Sequence, residues 1–113
     1  MATIFTKIIN KDIEADIIYE DKDVLAFNDV MPQAPIHILI IPKIEIPTVN
    51  DLNADNATIV AQLFLVAKKI AKKMGFSDDG YRLVMNCNGD GGQSVYHLHL
   101  HLLAGRQLGW PPG

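Results

Sequence analysis

A single cysteine, Cys87, occurs among 113 residues. An intramolecular disulfide is thereby excluded, no cysteine pair exists to start a zinc knuckle, and a reducing compartment, the cytoplasm, is the expected location. Long apolar runs are also missing. No stretch approaches the ~18 residues that a membrane-spanning helix needs, and residues 1–7 are not a basic leader followed by an apolar block, so neither secretion nor membrane insertion is expected. Charge of one sign is weak: the net value is −3, which suits neither a nucleic acid polymer nor a membrane surface as partner. Repeats and low-complexity tracts are absent, and the only proline cluster closes the chain. The expectation is one domain, residues 1–113, with 49% apolar residues to fill a core and a size at which a shared interface would help.

Histidine is scarce as well, with four in all, yet three of them share one pentapeptide. From His97 to Leu102, histidine and leucine alternate strictly. A period of two belongs to a strand with unlike faces, so His97, His99 and His101 point one way and Leu98, Leu100 and Leu102 the other. Side chains two apart on a strand lie about 6–7 Å from each other, so the central imidazole has a neighbour on each side within reach of one small anion. A solvated strand face would more cheaply carry threonine, lysine or glutamate. Directly upstream, Asn88-Gly89-Asp90-Gly91-Gly92-Gln93-Ser94 is rich in the residue that lets backbone amides approach a ligand.

The remaining elements follow from periodicity and punctuation. Ile4, Phe5, Ile8 and Ile9, with Thr3 as cap, predict a short helix over residues 4 to about 10. Residues 17–20 and 24–27 flank the polar turn 21–23 and predict a hairpin, with Asp29 at its exit beside Phe27. Residues 31–35 carry two prolines and must be loop; residues 36–41 are an apolar run expected of a strand buried on both faces, in which His37 is the odd member. A long helix from about residue 54 to Met74 is predicted, capped by Asn53 and stopped by Gly75. Its apolar residues, Ile59, Val60, Leu63, Phe64, Val66, Ala67, Ile70 and Met74, span an arc of about 160°, wider than one sheet face requires. Residues 81–86 alternate as a further strand, making five. The fold class is therefore α+β: a five-stranded, largely antiparallel sheet with one long and one short helix. Trp110, the only tryptophan, lies in an irregular tail and needs a place to dock.

A neutral imidazole can attack an electrophilic phosphorus and later be displaced by water, and His99, at the centre of the row, is the candidate nucleophile. Charge stabilisation is available from His101, the amides near Ser94 and Val95, and the Asn86 side chain. No metal is required by this scheme.

The run Gly91-Gly92-Gln93-Ser94-Val95-Tyr96-His97-Leu98-His99-Leu100-His101-Leu102-Leu103 resembles the active-site motif of the histidine-triad superfamily, in its nucleotide-binding, Hint-like branch. The resemblance extends over nearly the whole chain, through Phe27-Asn28-Asp29, Pro32-Gln33-Ala34-Pro35-Ile36-His37 and Ile41-Pro42-Lys43 to Trp110-Pro111-Pro112-Gly113. It implies a hydrolase cleaving nucleoside 5′-phosphoramidates, conjugates of AMP or GMP, through a nucleotidyl-histidine intermediate and without a cofactor. It implies further that His97, His101 and His37 orient and stabilise, that Ser94 meets the leaving group, and that Ile4, Phe5, Ile8, Phe27, Asn28, Asp29, Val30 and Leu39 form the base and ribose pocket. Asn86, Gly92, Gln93, Ser94, Val95, His99 and His101 complete the nucleotide site. A homodimer is implied, with Trp110 on the leaving-group side of the partner's site. The third histidine favours hydrolysis, since the nucleotidyltransferase branch has glutamine there. One departure is Glu45, where many relatives have a second histidine after the Ile-Pro-Lys run; it puts in doubt any zinc site built on that histidine. Two other readings stay open: a nucleotide-binding or scaffold protein with incidental hydrolysis, and a metal-binding module using alternate histidines.

Overall fold

The computed structural model describes residues 2–113. Helix α1 (Ile4–Ile9) begins in a capping box, in which the Thr3 hydroxyl accepts from the amides of Phe5 and Thr6 while the Thr6 hydroxyl accepts from the Thr3 amide. Phe5 and Ile8 are buried; Ile4 is half exposed. Strands β1 (Ile17–Glu20) and β2 (Val24–Asn28) form the expected hairpin. Its turn is closed by Asp21, whose carboxylate accepts from the amides of Asp23 and Val24, both at 2.8 Å. Strand β3 (Ile36–Pro42) follows the proline loop; then come α2 (Thr58–Met74), β4 (Arg82–Val84), the single helical turn α3 (Asn88–Gly91) and β5 (Leu100–Ala104). The five strands are ordered β1-β2-β3-β5-β4, with every neighbouring pair antiparallel.

Residue parity sorts the two faces. Val24, Ala26, Ile38, Ile40, Leu98, Leu100 and Leu102 pack under α2 against Ile59, Leu63, Val66, Ala67 and Ile70. The odd-numbered neighbours Leu25, Phe27, Leu39 and Ile41 pack under α1 against Phe5 and Ile8. Each leucine buried in the larger core contributes about 2 kcal/mol of transfer free energy. The same parity sends every histidine to the smaller, α1-covered face.

Four boundaries differ from expectation. Helix α2 starts at Thr58 rather than near residue 54, because the Asn53 side chain caps a separate turn, accepting from the amides of Asp55 and Asn56. The fourth strand is three residues, not six. The glycine-rich segment contains a helical turn, α3, so the chain has more than one short helix. The last difference matters most: the histidine strand begins at Leu100, leaving His97 and His99 outside it. Continuing the register Ile40↔Leu100 would set Leu98 opposite Pro42, which has no amide to donate. The Leu98 amide bonds instead to the Ile46 carbonyl at 2.7 Å, and the alternation of faces survives without the ladder.

Candidate active site

Two strands and the segment before the second bring four imidazoles together. His99 and His101 are 4.9 Å apart between ring centroids, and His101 and His37 are 5.2 Å apart. His37 stands across from Leu103, so it reaches His101 on the diagonal of the β3–β5 pair. Phe5 from α1 stands in T-shaped contact with His99, ring centroids 5.1 Å apart, and with His97, 6.1 Å apart. His37, His97 and His99 are buried, and His101 is partly exposed.

Backbone groups fix the tautomers, because a peptide carbonyl only accepts and a peptide N–H only donates. His97 donates from Nε2 to the Pro42 carbonyl at 2.8 Å, so its Nδ1, buried and without a partner, carries the lone pair. His99 donates from Nδ1 to the His97 carbonyl at 2.7 Å, which leaves the lone pair on Nε2. His37 accepts at Nδ1 from the Gln33 amide at 3.0 Å, so its proton is on Nε2 and is donated to His101 Nδ1 at 2.9 Å. His101, accepting at Nδ1, must hold its own proton on Nε2. The site thus presents one bare nitrogen, on His99, beside one N–H donor, on His101.

All four imidazoles are held neutral. Burial is the leading cause in each case and pushes the pKa below the usual histidine range. For His101, burial and the neighbouring His99 and His37 push it down to about 4 against the opposing pull of Asp29. A row of four cations so close together would repel, and this arrangement avoids that.

Asp29 sits at the exit of β2. Its Oδ1 accepts from the Met31 amide at 2.9 Å, and its Oδ2 lies 3.4 Å from His37 Nε2. A carboxylate therefore does adjoin the histidines, which the sequence did not reveal. Ligand atoms of Asp29, His37 and His101 lie within 4.8 Å of one another, the spacing of a possible cation site. The fit is poor for a chemical reason: a metal on His37 Nε2 would require the proton to move to Nδ1, directly against the Gln33 N–H. The geometry suits a proton between His37 and His101.

The other expected residues differ in their surroundings. Phe5, Ile8, Phe27 and Leu39 form the apolar wall, with Val95 packed against it. Ile4 and Val30 are exposed, Val30 at 94%, and Trp110 is 82% exposed in its own chain. Ser94 is exposed, Asn86 is half-buried, and Gly92 ends α3 in a left-handed conformation. Asn28 and Gln93 are engaged within the chain. Asn28 donates to Asp16 at 2.7 Å. Buried Gln93 accepts from the Asn88 amide and donates to the carbonyls of Pro47 and Val95, so its side chain ties the glycine-rich turn down. The groups that sequence reasoning missed are peptide groups, at Gln33, Pro42 and Ile46; no side-chain pattern announces them.

The four imidazoles thus converge on one face of a five-stranded antiparallel sheet, and known proteins share this chain's sequence and fold. The model of the HIT domain matches residues 10–108, and the chain belongs to that family. It is 57% identical over 107 residues to the purine nucleoside phosphoramidase of Escherichia coli K12, an alignment spanning 95% of this chain and 90% of the relative. A HIT family hydrolase from Legionella pneumophila has the same fold, with a TM-score of 0.96 and 54% identity over 99% of this chain and 100% of that one. A histidine triad nucleotide-binding protein from Candida albicans superposes with a TM-score of 0.82 at 29% identity, covering 97% and 83% of the two chains.

Proposed function

We propose that this chain hydrolyses purine nucleoside phosphoramidates, with His99 as nucleophile. The observation that carries the reading is the tautomer of His99: its Nδ1 proton is committed to the His97 carbonyl, so Nε2 is bare and aligned by a backbone bond. Attack by Nε2 forms a P–N bond to His99 as the P–N bond to the amine breaks, and the amine leaves with a proton from solvent, next to the Ser94 hydroxyl. His101 donates from Nε2 to a phosphoryl oxygen, aided by the amides near Ser94 and Val95 and by Asn86. Water then attacks phosphorus, displaces His99 and releases the nucleoside monophosphate. Phe5, Phe27 and Leu39 take the base, with Ile4, Ile8 and Val30 at the rim, and Asp29 takes the ribose hydroxyls. The identity with the phosphoramidase of Escherichia coli K12 supports the substrate class. Mass spectrometry of the protein quenched during turnover of an AMP phosphoramidate is expected to find the nucleotidyl group on His99. An adduct on another residue overturns the mechanism.

The reading includes a homodimer. Phe64 is exposed on α2, at the margin of its apolar arc, and β4 lies at an open sheet edge. Trp110 is exposed beside that edge, where Arg82 donates to the Gly109 carbonyl at 2.8 Å. In the dimer it covers the leaving-group side of the partner's site. Truncation after Gln107 is expected to change the ranking of leaving groups, and sedimentation of the full chain is expected to give a dimer at micromolar concentration. A monomer, or an unchanged ranking, refutes the respective half.

A further inference from the structure

Loop residues 31–35 touch the histidine row through the N–H of Gln33, and the carbonyl of the same residue, in the next peptide unit, is held from the far end of β5. The Gln33 amide donates to His37 Nδ1 at 3.0 Å; the Gln33 carbonyl accepts from Arg106 Nη2 at 3.0 Å. One residue earlier, Gly105 adopts φ +98° and lies so close to Pro35 that a Cβ there would stand 2.8 Å from Pro35 Cβ. The turn after β5 therefore presses on the loop at Pro35 and grips it at Gln33. Neither contact reaches the reacting atoms.

We infer that the Gln33 backbone, its carbonyl gripped by Arg106 and its loop braced by Pro35 on Gly105, is a positioning element whose N–H locks His37 as the Nε2–H tautomer and so presents His101 to substrate as an Nε2–H donor. Imidazole has two nitrogens and, when neutral, one proton, so an outside donor at one nitrogen dictates the state of the other. Without the Gln33 N–H, His37 could place its proton on Nδ1, and His101 Nδ1 would then carry the proton between them. His101 Nε2 would become a lone pair facing the phosphoryl oxygens, repelling the charge it should stabilise. The same donor also blocks a second proton on His37. The groups facing His37 are Asp29 from the β2 exit and His101 from β5; the carboxylate favours that second proton, and the Gln33 amide opposes it.

This inference rests on the hydrolase reading only for its kinetic consequence, because the tautomer can be read without substrate. Imidazole ¹⁵N–¹H correlation spectra of the ligand-free wild type are expected to show His37 protonated on Nε2 alone. Arg106→Met is expected to shift the His37 signals toward a tautomer mixture, lower kcat about tenfold with KM unchanged, and move the acid limb of the kcat profile to higher pH. Arg106→Lys is expected to restore most of the loss. Gln33→Pro deletes the donor itself and is expected to exceed Arg106→Met in every readout; thermal melts identify a variant that has merely unfolded. A wild-type His37 protonated on Nδ1 overturns the inference whatever the turnover. So does an Arg106→Met enzyme with unchanged His37 signals, whether its kcat is normal or reduced.

Discussion

Leu100 and His99 are adjacent in sequence and almost equally buried, at 1% and 6% exposure, yet they belong to different economies. Leu100 faces α2, where contact is dispersion and area, and any well-fitting apolar group would serve. His99 faces Phe5 and the other imidazoles, where each nitrogen has an assigned partner or vacancy. One face can tolerate a changed shape at the cost of stability. The other can keep its stability and lose its chemistry.

The sharpest break between the faces is a pair of substitutions. His99→Asn removes the bare nitrogen, and turnover of an AMP phosphoramidate is expected to fall by about three orders of magnitude or more, with nucleotide binding and the melting temperature little changed. Leu100→Ala leaves every imidazole bond in place and empties a fully buried site, so it is expected to lose about 2–5 kcal/mol in urea denaturation while the fraction that stays folded keeps its kcat. If His99→Asn melts as Leu100→Ala does, the division into a chemical and a structural face is wrong.

Acid divides them again. On the histidine face the folded pKa values lie below the unfolded value near 6.5, so as pH falls the unfolded chain takes up protons first and stability is lost. The loss begins near pH 6.5 and, for His101, continues until about 4. Between pH 7.5 and 5, His101 alone accounts for about 2 kcal/mol. The leucine face contributes nothing to this slope. His101→Gln is expected to flatten the dependence of the urea midpoint on pH, and a slope unchanged in that variant would place the titration elsewhere.

Much of this was legible in the sequence because parity is a local property. Five strands, the hairpin turn at Asp21, the stop at Gly75 and the common face of His97, His99 and His101 all follow from spacing within a few residues. What escaped was non-local. That the strand starts only at Leu100 depends on Pro42 lying across the sheet, 56 positions before Leu98. That Gln93 is spent on Asn88, Pro47 and Val95, and that Asp29 leans on His37, depend on how loops return to the site. The motif resemblance pointed to four histidines that the fold brings together, but their tautomers came only from which backbone groups their nitrogens meet.

Asp29 supplies the smallest and most discriminating test, because it touches both roles. Its position at the β2 exit, with one oxygen on the Met31 amide, suits vicinal ribose hydroxyls; its other oxygen, 3.4 Å from His37 Nε2, competes with His101 for a single proton. The His101 nitrogen is nearer, at 2.9 Å, so it takes the larger share, and Asp29 is left with acceptor capacity for a ligand. Asp29→Ala is therefore expected to weaken AMP binding by about 1.5 kcal/mol, the worth of a charge-assisted hydrogen bond. Measured by calorimetry, the loss should vanish for 2′,3′-dideoxy-AMP, which lacks the hydroxyls. If the substitution instead leaves AMP affinity intact and lowers kcat, Asp29 acts through His37 and belongs wholly to the proton network of the histidine face.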